Sequence, residues 1–154
     1  MATTSDLFDG IATLLQAAGV ARYIPASDAV SVYQPTDTAI KRNRLPASPD
    51  RAVAIRLMPV LADVSSPFST FLMQATVRGL PNDADDASNL ADEVRDNLLG
   101  LTYAWFGDTH VVQIRFSGQI DLDADESDRD IWSVKLLIDA DEAPTNLRPE
   151  GGWD

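Results

Sequence analysis

A chain of 154 residues without cysteine suits one domain, long enough to close a core without metal or disulfide staples. Its formal charge of −12 and pI near 4.2 argue against a general nucleic-acid grip, which depends on clustered Lys and Arg. The lack of cysteine removes any thiol nucleophile or Cys-based zinc site and fits a reducing compartment.

The first six residues carry no basic region, and the apolar run 53–61 is interrupted by Arg56 and Pro59. Neither a signal peptide nor a spanning helix is expected, so the chain reads as soluble, with no membrane partner. Leu7, Phe8, Ile11, Leu14, Leu15 and Ala18 form an apolar stripe, with cap candidates Thr4 and Ser5 before it and Gly19 after it. This spacing predicts the first helix.

Residues 29–33 make a short strand candidate. Residues 34–50 then carry Pro35, Pro46 and Pro49 around the basic group Lys41, Arg42 and Arg44, which reads as a long loop, either a contact surface or a mobile arm. Val53, Ile55 and Leu57 alternate with Ala54, Arg56 and Met58, predicting a strand that ends at Pro59.

The strongest signals lie in residues 70–99. Phe71, Met73, Ala75 and Val77 alternate with Leu72, Gln74, Thr76 and Arg78, the period of two that separates the faces of a strand. Beyond a break at residues 79–82, Ala87, Leu90, Ala91, Val94 and Leu98 recur at helical spacing, with Asp83, Asp85 and Asp86 at the start and Gly100 at the stop.

Residues 101–107 read as a connection into a strand over 111–117, where Val112, Ile114 and Phe116 oppose Val111, Gln113 and Arg115. An acidic loop, 121–130, leads to Trp132, Val134, Leu136 and Ile138 in alternation with Ser133, Lys135 and Leu137, so the last two strands should pair as a hairpin. The aperiodic residues 140–154, with Pro144, Pro149, Gly151 and Gly152, read as an extended or loose tail. The expected fold is α+β: a mainly antiparallel sheet of four to five strands with two helices packed on one face, in a single domain over residues 1–139.

Catalytic signatures are absent. There is no Gly-rich phosphate loop, GxSxG elbow or HExxH helix, and the lone His110 precedes a strand with no sequence-evident partner, so a structural role is expected. Asp121, Asp123 and Asp125 open like a calcium loop, but Glu126 stands where the turn needs glycine and Trp132 where a bidentate glutamate should close the site. No metal or cofactor is expected.

Arg56, Arg78, Arg115 and Lys135 each fall on the polar side of a different strand. They form either a solvated sheet surface or a subunit contact that meets acidic loops of a neighbour. Trp153, near the end of the tail, suggests docking on a neighbouring protein, because aromatics are enriched at interface cores.

The order of elements resembles the phage tail terminator family, also described as minor capsid or neck proteins of long-tailed bacteriophages. The resemblance is carried by the opening helix over 7–19 followed by Tyr23, by Pro49-Asp50-Arg51-Ala52-Val53-Ala54-Ile55, and by Gln74-Ala75-Thr76-Val77-Arg78-Gly79. Leu90-Ala91-Asp92-Glu93-Val94, the hairpin from Arg115-Phe116-Ser117-Gly118 to Asp125-Glu126-Ser127-Asp128-Arg129, and Ser133-Val134 complete it. Where such proteins often show Asn-Gly in the hairpin, this chain has Ser127-Asp128.

The resemblance implies a structural virion protein and not an enzyme. It implies a ring, commonly hexameric, that caps the tail tube, stops its polymerisation and joins the tail to head-completion (stopper or connector) proteins, with no cofactor. Its location would be the virion tail or neck, and the host cytoplasm during assembly. An acidic lumen would let DNA pass without specific binding, since like charge repels phosphate. The alternative is a non-virion binding module or small enzyme of the same fold class, because fold alone does not fix function.

Overall fold

The computed structural model describes residues 4–25, 27–62 and 68–141. Helix α1 spans Thr4–Ala17 and buries Leu7, Phe8, Ile11, Ala12 and Leu15. Its end is a Schellman turn: Val20 N–H donates to Leu15 O at 3.0 Å and Gly19 N–H to Gln16 O at 3.0 Å, with Gly19 at φ 78°. The expected stripe holds except at Ala18, which is exposed, while Ala12 lies in the core.

Six strands follow: β1 (Ala39–Arg42), β2 (Ala52–Ala62), β3 (Phe68–Pro81), then helix α2 (Ala84–Leu98), then β4 (Thr102–Phe106), β5 (Thr109–Asp121) and β6 (Arg129–Asp141). They form one curled sheet, a half-barrel, in the order β1-β2-β3-β6-β5-β4. All pairs are antiparallel except β1 with β2, which makes the sheet mixed. The α+β expectation therefore stands in outline, with six strands in place of four to five.

The two added strands sit at the sheet edges. β1 lies inside the stretch read as a loop; it is four residues long, buries Ala39 and Ile40, and extends into an isolated parallel bridge between Ala39 and Arg22. So short a strand shows little alternation. β4 occupies the expected connection 101–107, and its pattern is broken by Tyr103 at φ 52°, opposite a β5 bulge at Val112. That bulge also shifts the phase of β5, so that Val111 and Ile114 both enter the core while Phe116 stays half exposed.

Residues 29–33 are not a strand. Asp28 accepts Val30 N–H at 3.0 Å and Ser31 N–H at 2.9 Å, an Asx turn that leaves Val30 and Val32 in solvent. β2 continues past Pro59 because a register shift between Pro59 and Leu61 relieves the missing donor. β6 reaches Asp141, two residues into the expected tail. The rest of that tail, including Trp153, lies outside the described residues.

α2 is capped by Asp83, whose side chain accepts Asp86 N–H at 3.2 Å, and Gly100 takes φ 86° after the helix. Ala87, Leu90, Ala91, Val94 and Leu98 are fully buried against β3 and β6. At Gly79 a Cβ would lie 2.6 Å from the Ala87 backbone nitrogen, so glycine permits the close approach of α2 to β3. Both helices feed one core with Val53, Ile55, Met73, Val77, Leu136 and Ile138, which leaves the opposite face of the central strands without a helix. Among the described residues, no helix is long and apolar enough to cross a membrane.

Candidate functional site

The structure sorts the residues expected at a contact surface into three environments. The first is the end of the sheet where the β5–β6 hairpin turns. Asp125 accepts from Ser127 N–H at 2.9 Å, Arg129 N–H at 3.0 Å and Arg129 Nε at 2.8 Å. Burial pushes the Asp125 carboxyl up, but these donors outweigh it and hold the group below its ordinary range.

Asp128 takes φ 56°, a left-handed conformation that Asp tolerates better than most residues. Its carbonyl accepts Asn82 N–H at 2.9 Å, which joins this turn to the start of α2. Asp121, Asp123, Glu126 and Asp128 are exposed here beside Asp83 and Asp85. Among the described residues, no group of three His, Cys, Asp or Glu is placed to hold a metal ion.

The second environment is a cationic clamp that the sequence reading missed. Arg78, expected at a contact surface, is only 4 % exposed. Its Nε donates to Asp50 O at 2.7 Å, and its Nη2 donates to Pro46 O at 2.6 Å and Pro49 O at 2.8 Å. Burial, with Arg129 nearby, lowers its pKa from the ordinary arginine value.

Arg129 adds bonds to Ala47 O and the Asp50 carboxylate, each 3.1 Å, while Arg51 bridges the Asp86 carboxylate at 3.0 Å and Thr38 Oγ1 at 2.7 Å. Residues 46–51 are thus pinned to the sheet, and this half of the expected loop is not a free arm. Arg78 cannot offer its guanidinium to a neighbour.

The third environment is the helix-free face of the sheet. Arg56 pairs with Gln74, and Gln74 with Lys135, which sets Arg56 and Lys135 on one cross-strand row. Arg115 is already neutralised: its Nε and Nη2 grip the Asp139 carboxylate at 2.9 and 3.1 Å, and Asp139 also accepts from Thr70 and Gln113 at 2.8 Å each. Burial alone would raise the Asp139 pKa, yet these donors bring it below its ordinary 3.8.

A depressed carboxyl stabilises the fold above its unfolded pKa, and that stability is lost as pH falls through the folded value. Asp139→Asn should therefore flatten the acid limb of the stability profile, narrowing the gap to wild type between pH 7 and pH 3 in urea melts. A gap equal at both pH values would remove Asp139 from acid sensitivity.

The remaining candidates separate. Lys41 lies 5.1 Å from the Tyr33 ring centroid, and Arg42 lies 5.8 Å from that of Phe8 while donating to Thr4 Oγ1 at 2.9 Å and Ser5 Oγ at 3.2 Å. Arg44 stands exposed after a turn at Asn43, φ 71°. His110 stacks on Trp105 at 4.5 Å and meets Asp141 through Nδ1 at 3.0 Å. That partner lies 31 residues away, which is why the sequence did not reveal it. The exposed pair Tyr103 and Trp105 was also missed, although their spacing and the β-propensity of residues 102–106 carried the signal.

This architecture, a curled mixed sheet with two helices on one face, is shared with a chain of a solved assembly described as "Virion of native gene transfer agent (GTA) particle". The TM-score is 0.64 at 16 % identity, covering 91 % of this chain and 98 % of that one, and at such identity the likeness defines the fold. The sequence profile of the family described as bacteriophage tail terminator protein matches residues 14–142. The chain belongs to the bacteriophage tail terminator family, whose members are structural proteins of the virion. No curated protein matches the sequence.

Proposed function

We propose that this protein ends the growth of a tail tube: as a ring, commonly hexameric in such proteins, it caps the tube and joins it to head-completion proteins. The family match over residues 14–142 carries this reading. A tube of identical rings presents the same face after each addition, so growth does not close by itself. A ring that matches the tube on one side and differs on the other stops it.

The Lys41 to Arg44 segment and the hairpin end bearing Asp121, Asp123 and Asp125 are the candidate faces, opposite in charge. A formal charge of −12 per copy suits a lumen through which DNA passes without being held. The tail bearing Trp153 would reach a neighbouring protein. Assembly takes place in the host cytoplasm and the finished protein resides in the tail or neck.

In lysates of cells infected with a phage lacking this protein, electron microscopy should show overlong tubes or tails unattached to filled heads. Normal-length tails joined to heads would refute the terminator reading.

A further inference from the structure

The basic residues that remain free mark a surface narrower than the four-residue set read from sequence. Arg56 and Lys135 share a row on the helix-free sheet face, and Arg44 stands on the adjoining edge, where Asn43 N–H bonds Ile55 O at 3.0 Å. Among the described residues, none of the three has a carboxylate within ion-pairing distance. The face around them is not purely polar: Met58, Leu72 and Leu137 form the next row, and Ile120 is half exposed on the other side. At Gly118, opposite Lys135, an added Cβ would meet nothing within 4 Å, so the surface is open there.

The same chain carries the complement. Exposed Asp121, Asp123, Glu126 and Asp128 at the hairpin end also lack a basic partner among the described residues, in contrast to Asp125 and Asp139, which are bonded to arginines. Like charges gathered on one end repel each other, and a cationic face with an apolar flank relieves that repulsion. Charge on two different surfaces of one chain suits a head-to-tail contact, which closes into a ring when its rotation permits.

We infer that the helix-free face at Arg56 and Lys135 docks the acidic hairpin end of a second copy, making the subunit contact of the proposed ring. The inference rests on the ring reading and specifies its contact, placing the hairpin end between copies instead of on the face toward the tube or the head. Two strand spacings, about 9 to 10 Å, separate Arg56 from Lys135, so both can engage carboxylates on the arms and turn of one hairpin.

The test is zero-length carbodiimide coupling of a mixture of unlabelled and nitrogen-15-labelled full-length protein, read by mass spectrometry. Lys135 should appear joined to Asp121, Asp123, Glu126 or Asp128 in peptides of mixed isotope, which arise only between copies. Absence of mixed-isotope links at Lys135 would overturn the contact.

In parallel, Arg56→Glu, which leaves the Lys135 amine in place, should lower the coupled fraction at Lys135 about tenfold or more, as should Asp123→Lys with Glu126→Lys, and mixing the two variants should restore coupling between the two surfaces through the new lysines and the glutamate introduced at position 56. Circular dichroism checks that each variant remains folded, and failure of the folded pair to restore coupling would count against the contact. If the reversals leave coupling unchanged but abolish retention of duplex DNA, the face serves nucleic acid and the inference falls. Overlong tails in the deletion lysate together with absent links would remove this contact alone, whereas normal tails with links present would remove the terminator reading alone.

Discussion

Val94→Asp should leave no cooperatively folded protein at 25 °C. Val94 is fully buried between α2 and the sheet, beside Leu90, Leu98 and the central strands. Removing a buried Val forfeits about 1.5 to 3 kcal/mol of apolar burial. The added carboxylate has no donor waiting for it, and an unpaired buried charge costs several kcal/mol more. Against a typical domain stability of about 5 to 15 kcal/mol, the sum removes most or all of it. A soluble Val94→Asp variant with a sharp wild-type thermal transition would contradict the packing of α2.

The second large effect is expected at Arg78→Met, a change that keeps much of the apolar stem and deletes the charged fork. Three carbonyls, those of Pro46, Pro49 and Asp50, lose their donor together. Hydrogen bonds from a charged group contribute about 1.5 to 3 kcal/mol each, and carbonyls that turn back to water recover part of that, so a loss of about 2 to 4 kcal/mol is expected in denaturant melts. Amide exchange should quicken in residues 47–51 before it quickens in β3. Arg78→Lys should rescue little, because an ammonium cannot span three fixed acceptors as a planar fork does. A loss below about 1 kcal/mol would show that the clamp is not structural. It follows that reversing Arg78 is a poor probe of assembly: it would loosen the loop first.

These two residues also mark what the sequence could and could not disclose. Val94 was legible because a helix writes its buried face as a 3.6-residue period, and the local pattern of 87–98 holds whatever surrounds it. β3 and β6 were legible for the same reason at period two. The edge strands were not: β1 is too short to show a period, and β4 carries its irregularity at Tyr103. The family resemblance rested on element order, which these short edges hardly disturb.

At the candidate site the failures share one cause. Alternation places Arg78 on the polar side of β3, yet it does not say that residues 46–50 fold over that side. Arg115 likewise looked free until β6 brought Asp139 beside it from 24 residues away. Local pattern assigns a side chain to a face; long-range partners decide whether it is still available there.

The kink at Tyr103 has a bearing on solubility. β4 is an outer strand with exposed Tyr103 and Trp105, and a straight apolar edge of that kind is a template for strand addition and fibre growth. A residue in left-handed conformation opposite a bulge twists such an edge and interrupts its ladder of donors and acceptors. A protein proposed to stop one polymer thus carries, in its own edge strand, a local barrier against seeding another.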